Sequence, residues 1–237
     1  AMSERDEPGL WQSLMRDSAE IHRAAERRPF MVVFFKAELP KGAYIEYLSR
    51  LSFIYGALEE VSTTLKDDPV VGRMHMPQIH RSAAIDQDLR FLIGDDWRDR
   101  VKPSPATESY VATIRSTVDR FPPGFAAHQW LRYLGNVLAQ RINLRIMNKA
   151  YGFDQQGTAF FRFDGIDDPR AFLKDYHATM NSMPLDDAQI ARCVEEVNGA
   201  WQHQIDFTDE LAADFGLRTV TAEEAEKLME ELSAGHP

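Results

Sequence analysis

Apolar residues recur at every third or fourth position along most of the chain, a spacing that predicts α-helices. The N-terminal part shows it at Leu10, Leu14, Ile21 and Ala25. Proline is favoured in the first turn of a helix and glycine just after the last, so these residues indicate where helices begin and end. The predicted helices cover about residues 40–65, 77–93, 105–120, 125–150, 169–183, 186–215 and 221–233. No pair of segments has the alternation of paired strands, so we predict an all-α fold.

The longest segment without a helical pattern covers residues 152–165. It contains four phenylalanines, so we expect it to pack against the helices rather than to project into solvent. At the start of the last predicted helix, Thr221 and Glu224 have the spacing of a capping box. No repeat or linker divides the chain. We therefore predict a flexible N-terminal tail, one helical domain, and a C-terminal helix with its tail, over residues 1–9, 10–215 and 216–237.

Composition and charge exclude several classes of protein. The chain has 237 residues, with 27 Lys and Arg against 37 Asp and Glu, so its formal net charge is -10. An acidic chain lacks the basic surface that phosphate neutralisation needs, which argues against general nucleic-acid binding. Cys193 is the single cysteine, which excludes an internal disulfide and a thiolate zinc cluster and favours the cytoplasm. No apolar run approaches the roughly 20 residues of a membrane span.

Common catalytic motifs are absent from the chain. It has no Gly-x-Gly-x-x-Gly, no phosphate-binding Gly-Lys-Ser/Thr loop, no Gly-x-Ser-x-Gly and no His-Glu-x-x-His. A di-iron carboxylate site in a helical bundle needs Glu-x-x-His, which is also missing. These absences argue against a nucleotide enzyme, a serine hydrolase, a zinc protease and a di-iron protein.

Two positions in the predicted helices point to a bound ligand. Small residues lie one turn from His22, which leaves room for a flat ligand, and Glu26 has the spacing to orient the imidazole. A lone helical histidine can equally be a hydrogen-bonded packing residue. Gly135 lies inside the predicted helix 125–150, where glycine costs on the order of 1 kcal/mol relative to alanine. Close approach of a ligand or of another helix would explain it, and the two explanations stay open.

Several short segments together resemble the heme oxygenase family. Ser-Ala-Glu-Ile-His-Arg-Ala-Ala-Glu at residues 18–26 is similar to the proximal-histidine segment of that family. Further matching segments follow in the family's order at residues 30–31, 54–60, 80–89, 132–135, 159–161 and 180–182. The resemblance covers about residues 10–215 and is closest to the animal and cyanobacterial branch.

This resemblance implies a single helical domain with heme between a proximal helix carrying His22 and a distal helix carrying Gly135. Heme would be both cofactor and substrate, opened to biliverdin, iron and carbon monoxide with O2 and electrons from a reductase or ferredoxin. His22 would ligate the iron, while Gly135 and Asn136 would shape oxygen activation. The implied heme contacts also include Arg16, Glu26, Met31, Phe34, Trp130, Tyr133, Ala139, His177 and Trp201.

The distal segment departs from the family pattern, which reads Gly-Asp-x-Ser-Gly-Gly-Gln. Asn136 stands where the family has its catalytic aspartate, and a neutral amide accepts a different set of hydrogen bonds from a carboxylate. Ala139 and Gln140 replace two glycines, so we expect a straighter helix and a tighter pocket.

The expected contacts to the heme propionates differ as well. Met15, Ala19, Leu173 and His177 stand where the family has basic residues, and Trp130 replaces a tyrosine. The residues that could compensate are Arg16, Arg23, Lys174 and His177.

Three interpretations follow. The first is a heme oxygenase with an altered distal pocket, and it is the one we favour. The second is a non-catalytic protein that binds, stores or senses heme or another tetrapyrrole on the same scaffold. The third is a repurposed helical domain in which His22 is only structural.

Overall fold

The computed structural model describes residues 7–235, which form twelve α-helices and three short 3-10 turns and contain no strand. The predicted all-α class is therefore confirmed. Residues 1–6 of the predicted N-terminal tail and residues 236–237 lie outside the described residues. The helices are α1 (Leu10–Asp17), α2 (Ala19–Glu26), α3 (Pro29–Phe35), α4 (Lys41–Thr64), α5 (Ser82–Ile93), α6 (Trp97–Arg100), α7 (Pro105–Arg120), α8 (Gly124–Leu138), α9 (Gln140–Tyr151), α10 (Pro169–Asn181), α11 (Asp187–Asp214) and α12 (Ala222–Ala234).

The two longest helices, α4 and α11, organise the bundle. Helix α4 packs along α7 and α5, and α11 packs along α8 and also contacts α1, α2, α3 and α7. Their buried faces join one large core in which many of the fully buried side chains are aromatic. Among residues 7–235 no helix has the length and hydrophobicity needed to cross a membrane. The packing leaves α2, α3 and the end of α8 around one side of α11, where the site described below lies.

Most predicted helix boundaries are confirmed, and the exceptions have local causes. The proline-initiated helix predicted from Pro77 is only a 3-10 turn at Pro77–Ile79, and α5 begins at Ser82. The carboxylate of Glu59 caps α5 because it accepts hydrogen bonds from the backbone N–H groups of Arg81 and Ser82. The helix therefore begins where this distant acceptor stands, not at the proline.

The expectation of one straight helix over residues 125–150 is wrong. The helix is interrupted at Ala139, so that α8 ends at Leu138 and α9 begins at Gln140. The Gln140 side chain donates to the Val137 carbonyl at 3.0 Å, and its Oε1 accepts from the backbone N–H of Phe163 at 3.0 Å. The first bond joins α9 to α8 across the break, and the second stabilises it from outside both helices. Together they override the gain in helix propensity from losing two glycines.

Two other helix ends follow from side-chain hydrogen bonds. The N-terminal helical segment, which runs from Leu10 to Ala25 in the sequence pattern, divides at Ser18 into α1 and α2. The Ser18 hydroxyl donates to the Leu14 carbonyl at 2.6 Å, a bond that competes with the backbone hydrogen bonds of a continuous helix. Only half of the predicted capping box of α12 forms. The Thr221 side chain accepts from the Glu224 N–H, but the Glu224 carboxylate pairs with Lys36 and Arg218 instead of turning back.

The segment 152–165 packs down on the helices as predicted, through buried phenylalanines. A single buried carboxylate fixes its centre, because Asp88 of α5 accepts the backbone N–H groups of Ala159 and Phe160, both at 2.8 Å. Burial raises the pKa of Asp88 to about 6, although the two N–H donors act in the opposite direction. The segment thereby presents Phe161 to the site.

A buried ion cluster joins α8 to α11. Glu196 accepts two hydrogen bonds from Arg120, at 2.8 and 2.9 Å, and contacts Nε2 of the fully buried His128 at 2.8 Å. Burial alone would raise the pKa of Glu196, but the bonds from His128 and Arg120 lower it to about 2. Gly124 packs closely beside this carboxylate, since a Cβ there would stand 3.2 Å from the Glu196 side chain.

We expect Glu196→Ala to lower the free energy of unfolding by about 3 kcal/mol, because it leaves His128 buried without its charged partner. The folded-state pKa is below the unfolded one, so the contribution of Glu196 is full above about pH 4.5 and declines as the pH falls toward 2. Urea unfolding at pH 7 measures the change. Glu195→Ala, at an exposed position on the same helix, is the control and should change little. Equal effects of the two variants would contradict the importance of the cluster.

Candidate functional site

An open cavity lies between α2 and α3 on one side and α8, α9 and α11 on the other. It contains about 820 Å³ of space free of protein atoms, including its mouth, and most of the exposed lining is apolar. Apolar clefts with a few polar groups are typical of small-molecule sites. Eight of the residues predicted from the sequence line it, namely His22, Glu26, Met31, Phe34, Gly135, Asn136, Ala139 and Trp201.

On the α2 wall, His22 is held by two neighbours. Its Nε2 lies 2.9 Å from Oε1 of Glu26, one turn further along the helix. The imidazole also stacks on the indole of Trp201, with ring centroids 4.3 Å apart and an interplanar angle of 14°. Both side chains line the cavity and are partly exposed, at 42% for His22 and 41% for Glu26. The histidine is therefore accessible to a ligand and is not a core packing residue.

On the α8 wall, Gly135 faces open space. A Cβ at this position would meet no protein atom within 4 Å, so no neighbouring helix requires the glycine. This finding rejects helix packing as the explanation for a glycine inside α8. What the missing side chain leaves free is the cavity itself, which Gly135 lines together with Asn136.

Asn136 is held only loosely. Its Nδ2 donates to the Arg132 carbonyl at 3.4 Å, and its Oδ1 accepts from Nδ2 of Asn143 at 3.5 Å, both at the long limit of hydrogen bonding. The amide is half-buried and lines the cavity. It is free to bind a water molecule or a ligand without losing a strong bond.

Arg132 brings a buried positive charge to the same wall. The residue is 5% exposed and its guanidinium donates to Oε1 of Gln204 and, at 3.5 Å, to the hydroxyl of Tyr55. The guanidinium also stands near Tyr47 and Tyr110. Burial raises the pKa of both hydroxyls, and the positive charge of Arg132 opposes that rise. Its Nε has no hydrogen-bond partner. All these neighbours are neutral.

Four predicted heme contacts do not line the cavity of this structure. Arg16 pairs with the adjacent Asp17 at 2.8 Å, and Tyr133 is buried in the core with its ring edge-on to Tyr55. Trp130 donates from Nε1 to Nε2 of His177 at 3.1 Å.

His177 lacks the positive charge that it would need to bind a propionate. Its ring stacks on Trp11 at 4.3 Å, and burial lowers its pKa, so it is neutral at pH 7. A neutral imidazole that already accepts from Trp130 does not replace a basic residue.

The histidines of α8 and α11 lie elsewhere. His128 is bound to Glu196, and His203 contacts Oγ1 of Thr113 at 2.9 Å and stacks on Tyr110. Neither lines the cavity, nor does His177. Within residues 7–235 no group of three or more His, Cys, Asp or Glu side chains is placed to bind a bare metal ion.

Several lining residues were not predicted from the sequence. They come from seven elements and are Ala25, Phe35, Tyr47, Leu131, Arg132, Asn143, Phe161 and Gln204. Helical spacing could have found two of them, because Arg132 is four residues before Asn136 and Gln204 is three after Trp201. Phe161 depends on how the segment 152–165 folds back, which no local pattern indicates.

Comparisons with known proteins agree with this geometry. A sequence profile described as heme oxygenase matches residues 9–210. The chain is 34% identical over 202 residues to heme oxygenase 1 of Synechocystis, covering 85% of this chain and 84% of that protein. It is 33% identical over 195 residues to heme oxygenase 1 of Gallus gallus, covering 81% and 66%.

Solved structures show the same relationship. The crystal structure of heme oxygenase-1 from the cyanobacterium Synechocystis in complex with heme superposes with a TM-score of 0.84 and 31% identity, covering 96% of this chain and 100% of that one. The heme oxygenase of Leptospira interrogans gives a TM-score of 0.82 and 28% identity, covering 86% and 100%. Profile, sequence identity and fold all extend across the helices that build the cavity, and the chain belongs to the heme oxygenase family.

Proposed function

We propose that this protein binds heme in the cavity between α2 and α8 and oxidises it to biliverdin, iron and carbon monoxide. The observation that carries the proposal is the pairing of an accessible histidine, His22, with a wall at Gly135 that has no side chain and no neighbour to fill it. A flat ligand can lie between them. Heme is the substrate, and the reaction consumes O2 and electrons, for which we propose a reductase or ferredoxin. The single buried cysteine agrees with a reducing location such as the cytoplasm.

His22 would ligate the heme iron through one imidazole nitrogen. In this structure one ring nitrogen, Nε2, contacts the carboxylate of Glu26. A carboxylate on the second nitrogen fixes the orientation of a ligating histidine and makes it a stronger donor. Glu26 would then be a positioning residue.

The α8 wall would control the opposite face of heme. Gly135 allows the helix backbone to approach the ring closely, and the Asn136 amide can hold a water molecule there. Ala139 adds one methyl group at the same wall, next to the break that ends α8. An amide carries no charge and accepts fewer hydrogen bonds than a carboxylate, so proton delivery at this face would be slower than with an acid.

Turnover provides the direct test. Hemin is bound by the protein, ascorbate or a reductase system is added in air, and the absorption spectrum and carbon monoxide release are followed. We expect the Soret band to be replaced by the band of biliverdin. A Soret band that persists, or that bleaches without a bilin, contradicts oxidation to biliverdin.

A second function rests on the neutral Asn136 at the α8 wall. If the missing carboxylate prevents productive proton delivery, the protein binds heme for storage or sensing without opening it. In that case the hemin titration gives a stoichiometric complex, but no bilin forms. The two functions share the His22 site and differ only in this outcome.

A further inference from the structure

The corner between α2 and α3 consists of two arginines, Arg27 and Arg28. It joins the two short helices that form one wall of the cavity and contribute six of its sixteen lining residues, His22 among them. With eight and seven residues, neither helix is long enough to be stable through its own hydrogen bonds. The position of this wall therefore depends on what holds its helices from outside.

Arg28 fixes the corner to α11. Its Nε and Nη2 donate to the two carboxylate oxygens of Asp209, both at 2.8 Å. A bidentate pair of this kind sets the orientation of the two side chains as well as their distance. Helix α11 also carries Trp201, on which the imidazole of His22 stacks. The corner and the imidazole are thus held against the same helix.

Arg27 fixes the corner to α12. Its Nε donates to Oε2 of Glu226 at 2.8 Å, and its Nη1 donates to the carbonyl of Arg23 at 3.0 Å. The guanidinium therefore closes the last turn of α2, and the carboxylate of Glu226 holds the guanidinium in place. That turn contains Glu26, whose carboxylate contacts His22.

Helix α12 is itself anchored on α3. Ala225 and Leu228 form a small apolar cluster with the fully buried Val32, and this cluster is separate from the main core. Phe35 packs against both the small cluster and the main core, and it also lines the cavity. The apolar contact gives α12, and with it Glu226, a defined position relative to the wall.

We infer that Asp209 and Glu226 are positioning residues for heme binding, which act through Arg28 and Arg27 to set the place of the α2–α3 wall and of His22. This inference rests on the proposed function, because the imidazole that they position is the proposed ligand of the iron. Neither carboxylate lines the cavity, so both act on the ligand only through the wall.

The double variant Asp209→Asn/Glu226→Gln tests the inference, since it removes both charges and keeps the size of both side chains. Proton NMR of the heme-free protein reports the position of His22, because the ring current of the stacked Trp201 displaces its ring protons upfield. The resonances are assigned by their absence from His22→Ala. We expect the upfield displacement to decrease in the double variant, since the wall is no longer held against α11 and α12.

Loss of hemin provides the second readout. The hemin complex is mixed with an excess of apomyoglobin, and the transfer of hemin is followed by absorbance. The dissociation rate should rise at least about threefold in Asp209→Asn/Glu226→Gln, an effect of the size expected from two partly exposed ion pairs.

The matched control is Glu60→Gln/Asp86→Asn, which removes ion pairs of the same kind, with Arg115 and Arg90, away from the cavity. It should leave the His22 resonances and the dissociation rate unchanged. Unchanged His22 resonances in the first double variant, or equally fast loss of hemin from both, would overturn the inference. If hemin binds neither the parent nor the variants while the His22 resonances still move, the proposed function fails and the positioning of His22 stands.

Discussion

Replacing His22 by alanine should remove the axial ligand of heme and abolish turnover. The side chain is the accessible imidazole of the cavity, and its partial exposure means that its loss costs little folding energy. We expect the Soret band of the variant to lose the signature of histidine ligation. Heme affinity should fall more than about tenfold, which corresponds to 1.4 kcal/mol. Hemin titration by absorbance measures both effects.

His203→Ala is the matched control, since this histidine also lies on a helix but contacts Thr113 away from the cavity. Its heme spectrum should equal that of the parent. Added imidazole should restore a ligated spectrum to His22→Ala, because the exchange leaves a gap of the same shape. An unchanged heme spectrum in His22→Ala would assign the iron to another residue.

Filling the space at Gly135 should weaken heme binding without destabilising the fold. Gly135→Leu meets no protein atom at its Cβ and replaces a poor helix former, so the heme-free protein should gain up to about 1 kcal/mol of stability. The same side chain occupies the surface on which heme would lie. We expect heme affinity to fall at least about tenfold, since a filled cavity excludes the ring.

Gly199→Leu provides the comparison. Gly199 is also inside a helix, α11, and a Cβ there also has no neighbour within 4 Å, but it does not line the cavity. It should raise stability in the same way without changing heme affinity. Loss of heme binding in both variants, or in neither, would contradict the placement of heme against Gly135.

The sequence predicts the helices well where local signals set their ends. Pro105 is the first residue of α7, and Asp186 caps α11 through a reciprocal bond with Gln189. These signals act over three or four residues, so one sequence is enough to recognise them. His22 and Gly135 were candidates for the same reason, with the family resemblance placing them on opposite sides of one ligand.

The remaining features depend on contacts between distant parts of the chain. The break at Ala139 is stabilised by a hydrogen bond that the Gln140 side chain accepts from the backbone N–H of Phe163, 23 residues away, and no propensity scale contains that contact. Arg132 lines the cavity, whereas Tyr133 is buried in the core, and this difference depends on how α8 is rotated about its axis. Adjacent positions differ by about 100° around a helix, so packing against α4 and α11 decides which one faces the cavity.

The most direct test of the account is the vibration of the bond between heme iron and its protein ligand. The resonance Raman spectrum of the ferrous complex, prepared with isotope-labelled histidine, should show an iron–histidine mode that shifts with the label. That mode should persist in His203→Ala and disappear in His22→Ala. A label-insensitive spectrum, or a mode that survives the loss of His22, would contradict ligation of heme on α2.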